Sequence, residues 1–224
     1  MLAPPRSLTR DEVRAIDVWA AETIGLPTLV LMENAGRGAA EVLLDRIHED
    51  AKVLVLCGPG NNGGDGAVVA RHLDLSRRTV SVVWFAKSDR LSPDAATQHR
   101  VLKGLGLPQD EWPESTEASV LDELLAEADW VVDGLLGTGL SRPVEGQLRD
   151  VIEAINRSGR PVLALDLPSG LDTDRGVPLG TAVRATVTAT FVARKVGFDA
   201  SGAAAFTGEV HVVPIGVPAR WQGA

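Results

Sequence analysis

Val53-Leu54-Val55-Leu56-Cys57-Gly58-Pro59-Gly60-Asn61-Asn62-Gly63-Gly64-Asp65-Gly66 is an apolar run that stops abruptly in glycines and amides. Val53 to Leu56 has the uninterrupted aliphatic character of a strand buried on both faces of a parallel sheet. Ala67 to Leu73 reads as the first turns of a helix, so the segment between is a ligand loop in type, its glycines supplying positive φ and close backbone approach. Free backbone N–H groups and a helix N-terminus would both face an anion there. Neither common phosphate loop is matched: the glycine spacing lacks an acidic ribose reader on a following strand, and there is no Lys-Ser or Lys-Thr pair for a Walker loop.

On the N-terminal side, Thr9 with Glu12 three residues on makes a capping box, and Val13, Ile16, Asp17 and Ala20 continue at helical spacing until Gly25-Leu26-Pro27. A second helix runs through Leu29, Met32, Ala35, Ala39, Val42, Leu43 and Ile47. It contains Asn34 beside a glycine, a polar group that either faces solvent or is aimed at the site. These two helices either cover the sheet or pair with another subunit, as in a homodimer.

On the C-terminal side, a strand over Thr79 to Phe85 is followed by a helix over Pro93 to Leu105, a loop or edge segment over Leu107 to Thr116, and a short helix over Ala118 to Ala126. The strand Asp129 to Asp133 ends in Gly134-Leu135-Leu136-Gly137-Thr138-Gly139, and Glu145 to Ile155 is the next amphipathic helix. Pro161 to Leu165 is a further strand ending in Asp166-Leu167-Pro168-Ser169-Gly170. Two last strands fall in Ala185 to Ala193 and Val210 to Ile215, with Gly197 to Gly208 as a loop between them. Three buried-type strands thus end in glycine-marked polar turns, and in a doubly wound parallel sheet those ends share one crevice.

With 224 residues, 45% of them hydrophobic, and no apolar run near the roughly 18 residues that span a bilayer, the chain reads as one cytoplasmic α/β domain over 1–224 with its core at about 8–218. A net charge of −8 and a pI of 5.0 argue against binding nucleic acid or an anionic membrane. Cys57 has no internal partner and reads as a small buried hydrophobe.

The chemistry at the converging turns is oxygen-rich. Asn62, Asp133, Ser169 and nearby backbone carbonyls suit an alkali or alkaline-earth cation, and the absence of paired Cys or His excludes a zinc-type site. His48, His72, His99 and His211 are scattered without metal spacing. No Gly-x-Ser-x-Gly elbow supports nucleophilic hydrolysis. Proton transfer falls to Asp65, Asp133 and Asp166, since a carboxylate held near another one has its pKa raised toward neutrality.

Leu31-Met32-Glu33-Asn34-Ala35-Gly36, the Gly58 to Gly66 element, Asp133 with Gly137-Thr138-Gly139, and Asp166-Leu167-Pro168-Ser169-Gly170 occur in the order and spacing of the YjeF N-terminal domain family, the NAD(P)H-hydrate epimerases, which the chain resembles from Leu8 to about Pro218. The resemblance implies a three-layer Rossmann-like α/β sandwich with a mostly parallel central sheet. It implies an isomerase of cofactor repair that interconverts the R and S forms of hydrated NADH or NADPH, linked to a separate NAD(P)H-hydrate dehydratase. By position, Asn61, Asn62, Gly63, Gly64 and Asp65 would bind the small-molecule substrate. Gly137, Thr138, Gly139, Leu140, Ser141, Arg142 and Pro143 would wrap its phosphates. Asp166 would contact it near the hydrated ring as the catalytic group, and Asn62, Asp133 and Ser169 would hold one potassium ion (K+) per subunit. Arg184-Ala185-Thr186-Val187-Thr188 departs from the family's Ala-Asp before its Thr-Val-Thr strand, whereas Lys195-Val196-Gly197-Phe198 resembles its Lys-Pro-Gly-Leu turn. Two other readings compete. A non-catalytic nucleotide-binding or scaffold module would not need this full set of turn residues. An NAD-dependent oxidoreductase would want a ribose-reading acid and a catalytic Tyr-Lys, Cys or His, and the chain has no tyrosine.

Overall fold

A computed structural model describes residues 6–112 and 118–217, so the part of the expected Leu107–Thr116 segment from 113 on, and Pro218, lie outside the described residues. Seven strands make one sheet: β1 Lys52–Cys57, β2 Thr79–Trp84, β3 Gln109–Glu111, β4 Trp130–Gly134, β5 Val162–Leu165, β6 Val187–Phe191 and β7 Glu209–Val213. Their order is β3-β2-β1-β4-β5-β6-β7, and every neighbouring pair is parallel. The helices are α1 Arg10–Glu22, α2 Thr28–Leu44, α3 Asn61–Leu75, α4 Pro93–Leu105, α5 Ala118–Glu127, α6 Gly146–Ser158 and the single turn α7 Ala204–Thr207.

Both faces of the sheet are covered, which is why its central strands carry apolar residues without alternation. On one face Val53, Val55, Val82, Trp84, Val132 and Leu163 pack with Leu31, Ala35 and Leu43 of α2, Ala67 and Leu73 of α3, and Leu102 of α4. On the other, Leu54, Leu56, Val83 and Val131 meet Leu121 and Leu125 of α5 and Val151, Ile152 and Ile155 of α6. The result is the three-layer arrangement the resemblance implies, with the sheet wholly parallel among the described residues. No helix among them is long and apolar enough to cross a membrane.

Two local differences from the sequence reading bear on the site. Asn61 to Gly66 is not a loop but the opening of α3, and Gly58, Gly60, Gly63, Gly64 and Gly66 all lie outside the positive-φ region. Glycine is needed there for proximity instead. A Cβ on Gly63 would lie 2.0 Å from the Gly58 carbonyl oxygen, and one on Gly64 would lie 2.5 Å from Met32 Cε. Helix propensity is sacrificed so that α3 can start against the end of β1 and against α2.

The second difference is the expected Gly197–Gly208 loop, which holds a 3-10 turn over Val196–Asp199 and α7. The 166–186 connection between β5 and β6 crosses without a helix, folded on itself by bridges Leu171↔Pro178 and Leu179↔Thr181.

The N-terminal segment is fastened to the turn after β6. Leu8 N–H donates to the Arg194 carbonyl at 2.8 Å, and Val196 N–H donates to the Leu8 carbonyl at 3.0 Å. α1 then begins from the expected capping box, with Thr9 N–H donating to Glu12 Oε2 at 2.9 Å.

Candidate active site at the carboxyl ends of the strands

The strand order reverses between β1 and β4, the point at which a doubly wound sheet opens a crevice. Here a Cβ on Gly58 would lie 1.8 Å from the Leu135 carbonyl oxygen, so the turns after β1 and β4 touch. Above them is a crevice of about 560 Å³, lined by Asn61, Asn62 and Asp65 of α3, the turn Leu135 to Arg142, Asp166 and Phe191, Met32 and Ala35 of α2, and Val13, Arg14 and Asp17 of α1. The three polar turns therefore do meet.

Asp166 is the most constrained of the carboxylates. Its backbone lies at φ 66, in the left-handed region, and it is 7% exposed. Non-glycine residues rarely hold that conformation unless surrounding bonds impose it. Here Asp166 N–H donates to the Ala189 carbonyl at 2.8 Å, and Asp166 Oδ1 accepts from Phe191 N–H at 3.2 Å. Lys195 completes the arrangement: fully buried, it forms an ion pair with Asp166 Oδ1 at 2.6 Å. Its Nζ also donates to the carbonyls of Phe191 at 2.9 Å and Ala193 at 3.2 Å, so the ammonium is paired and hydrogen-bonded as a buried charge must be.

Asp65 has the opposite surroundings. It is 8% exposed, and burial, followed by the charges of Asp166, Asp17 and Asp94, raises it well above the usual carboxylate range. Two buried carboxyls of one crevice thereby have different partners, Asp166 an ammonium and Asp65 no cation that offsets its burial, the kind of difference that separates a base from a proton holder.

Asp133, Ser169 and Asn62 stand together behind the Gly134–Gly137 turn. Ser169 Oγ donates to Asp133 Oδ1 at 2.5 Å, and Ser169 N–H donates to Oδ2 at 2.8 Å. Leu135 N–H donates to Oδ1 at 3.2 Å, and Leu136 N–H donates to Ser169 Oγ at 2.8 Å. Asp133 is fully buried, and its desolvation raises it to about 6 in spite of the hydrogen bonds from Ser169 and Leu135. Asn62 is 8% exposed, and its buried Nδ2 has no hydrogen-bond partner among the described residues. Asp133 and Ser169 knit the turns after β4 and β5 together, Asn62 of α3 packs against the turn after β4, and the oxygens of the three suit a hard cation. No group of three or more His, Cys, Asp or Glu side chains placed to hold a metal occurs among the described residues.

Of the sequence-derived substrate residues, Asn61, Asn62, Asp65, Gly137, Thr138, Gly139, Leu140, Ser141, Arg142 and Asp166 line the crevice. Gly63, Gly64 and Pro143 do not; the two glycines face Gly58 and Met32 and serve packing. Asn34 is not aimed at the crevice: its Nδ2 donates to the Ile215 carbonyl at 2.9 Å, tying α2 to the segment after β7. His72, His99 and His211 contact Glu33, Glu111 and Glu209 respectively, and no histidine lines the crevice. Sequence reasoning assigned no role to Lys195, Arg14 or Asp17. Lys195 lies in the recognised turn after β6, and that position was the available signal; for Asp17 the signal was an acid at the spacing of Val13, Ile16 and Ala20, the apolar face of α1, whereas Arg14 carries none.

A family model described as YjeF-related protein N-terminus matches residues 28–197. An NAD(P)H-hydrate epimerase of Rhodopirellula baltica is 46% identical over 215 residues, covering 96% of this chain and 85% of the relative. That of Pirellula staleyi is 40% identical, covering 95% and 93%. A bifunctional NAD(P)H-hydrate repair enzyme Nnr of Thermofilum pendens is 42% identical, covering 92% of this chain but 39% of the relative. Among solved structures, the yeast protein YNL200c superposes with a TM-score of 0.76 at 24% identity, covering 86% of this chain and 83% of its own, and so shares the fold. α1 precedes the first residue matched by the family model.

Proposed function

This chain belongs to the family of YjeF-related N-terminal domains, and we propose that its crevice is where it epimerises the R and S forms of hydrated NADH and NADPH, an isomerase reaction of nicotinamide cofactor repair. The observation that carries the placement is the buried Asp166–Lys195 pair at the crevice floor, beside a second carboxyl that burial drives toward its protonated form.

The chemistry needs little more. Hydration leaves a hydroxyl on the ring carbon next to nitrogen. The nitrogen lone pair expels it as water once it is protonated, giving a planar iminium carbon open to either face. A site for this reaction must give a proton to the leaving hydroxyl, take one from incoming water and exclude bulk solvent. Asp166, held in place by Lys195 and by Phe191 N–H, is the proton-moving group. Asp65, raised by burial, orients the ring as a hydrogen-bond donor. The turn Gly137 to Arg142, which lines the crevice, would wrap the phosphates, with Arg142 as its cation.

Asn62, Asp133 and Ser169 would hold a potassium ion. The fit rests on their oxygens and on Asn62, whose amide leaves a buried atom without a partner; turned over, it presents an oxygen at the same place. The ion would supply positive charge next to a fully buried carboxylate. A dehydratase acting on the S epimer is the linked activity, a reading supported by relatives described as bifunctional NAD(P)H-hydrate repair enzymes.

The test uses the purified chain with the R epimer of hydrated NADH, following the epimer ratio by chromatography with potassium and with choline in its place. Equilibration well above the spontaneous rate, faster with potassium, is expected. A rate equal to the spontaneous one would refute the epimerase reading.

A further inference from the structure

The epimerase reading leaves a stereochemical problem that one carboxylate does not solve. The hydroxyl departs from one face of the ring and water returns to the other, so protons are given on one side and taken on the opposite side. A fixed side chain at the floor serves one face. Asp166 is such a group, locked by an ion pair, a backbone hydrogen bond and its own strained backbone.

The crevice has a wall built by neither the sheet nor α3. α1 contributes Val13, Arg14 and Asp17 to it. The chain entering this helix is anchored to the turn that carries Lys195, because Leu8 bonds through its backbone to Arg194 and Val196 on either side of it. Further ties hold its start: Arg10 N–H donates to Asp174 Oδ1 at 2.8 Å, and the Arg10 guanidinium pairs with Asp172 at 3.7 Å. The same turn that fixes Lys195 therefore also fixes where Asp17 stands. Resting on the epimerase reading, we infer that Asp17 is a second catalytic acid–base, serving the ring face that Asp166 does not reach.

Its surroundings agree. The side chain keeps solvent contact at the crevice mouth, yet the walls withdraw part of its hydration; that loss, followed by the negative charge of Asp166 and opposed by Lys195, raises it to about 6. The charged and titratable groups sharing this space are Asp166 from the turn after β5, Lys195 from the turn after β6, Asp65 from α3, Arg142 from the turn after β4 and Arg14 from α1 itself. Asp166 begins as the base of an ion pair while Asp17 holds a proton part of the time. In one direction Asp17 gives its proton to the ring hydroxyl; the C–O bond breaks with its electron pair leaving in water, and the nitrogen lone pair forms the C=N bond. Water then attacks from the other face, the C=N electrons return to nitrogen, and the extra proton of that water goes to Asp166. The reverse reaction runs through the same two groups, and solvent at the exposed Asp17 resets the protons.

The experiment compares Asp17→Asn, Asp166→Asn and the surface control Asp11→Asn on each pure epimer in ¹⁸O-labelled water, following both epimerisation and label uptake into the starting epimer. Asp17→Asn is expected to lower kcat for epimerisation about 100-fold or more, with KM within threefold, while one epimer still takes up label within tenfold of wild type through Asp166. Asp166→Asn should leave uptake in the other epimer, and Asp17→Glu should restore part of the rate. Asp11→Asn should behave as wild type. Wild-type epimerisation in Asp17→Asn overturns the inference, as does equal loss of label uptake from both epimers. If the wild-type chain itself does not exceed the spontaneous rate, it is the epimerase reading that fails.

Discussion

Asp166 and Lys195 form an ion pair where Lys195 is fully withdrawn from solvent and Asp166 nearly so. Removing one member of a buried ion pair strands the other, a loss of about 3–5 kcal/mol, whereas removing both together costs less. Lys195→Met should therefore unfold at markedly lower urea concentration, Asp166→Asn less so because an amide still accepts a hydrogen bond, and the double variant should recover part of the loss. The coupling energy read from such a cycle should fall at about 0.5–3 kcal/mol; additive losses would mean that the pair is not energetically linked. For turnover, Asp166→Asn should lose about 100- to 10,000-fold with substrate binding nearly intact. Asp166 could be read in the sequence because it follows an apolar strand and precedes Pro168 and Gly170. Lys195 was marked only by its place in the recognised turn after β6, and its role stayed hidden because a lysine reads as solvent-exposed until a structure shows it fully buried against a carboxylate from another connection. Asp17 was passed over because it was counted with Val13, Ile16 and Ala20 at the spacing of the apolar face of α1, where an acid is itself the anomaly.

The strands were readable because a sheet covered on both faces demands uninterrupted apolar runs, and β1, β4 and β5 all have them. β3 was readable only as far as a loop or edge segment over Leu107–Thr116: Gln109-Asp110-Glu111 is a short polar strand at the sheet edge, pairing among the described residues with β2. The start of α3 was missed for a different reason. Asn-Asn-Gly-Gly-Asp-Gly has low helix propensity, and only the closeness of its neighbours explains why glycines occupy a helical turn. That explanation has a direct test. Gly63→Ala drives a methyl to within 2.0 Å of the Gly58 carbonyl oxygen, a backbone atom that cannot rotate away. The variant should lose about 3 kcal/mol or more, at the severe end of overpacking, and its activity as well, because the shifted α3 carries Asn61, Asn62 and Asp65. Gly104 in α4 is the contrasting case, with nothing within 4 Å of an added Cβ and no positive φ. Gly104→Ala should gain about 0.5–1 kcal/mol from reduced backbone entropy in the unfolded chain. Urea midpoints for the two variants decide the matter; equal and small changes would show that the close approach at Gly63 is relaxed in solution.

The protein as a unit carries a charge of −8 and still buries Asp133 completely. Its folded-state value is raised to about 6 by burial, above the unfolded value of 3.8. Between those two values the folded chain keeps a proton that the unfolded chain has released, so the slope of unfolding free energy against pH is negative there. Stability from this group is present in full below about 4, declines as pH rises through 6, and is gone above it; a shift of that size corresponds to about 3 kcal/mol. In choline chloride at fixed ionic strength the urea midpoint should accordingly fall from pH 5 to pH 7. A cation bound by Asn62, Asp133 and Ser169 acts in the opposite direction, since it favours the ionised carboxylate and binds only the folded chain, adding RT ln(1 + [L]/Kd). Replacing choline with potassium should therefore raise the midpoint more at pH 7 than at pH 5. Asp133→Asn separates this from the general self-repulsion of an acidic chain: it should flatten the decline in choline and abolish the potassium effect, while the residual slope from the other carboxylates stays. If potassium leaves the wild-type midpoint at pH 7 where choline does, the ion does not sit at Asp133, and the Asp133–Ser169 pair is only the clasp that holds the turns after β4 and β5 together.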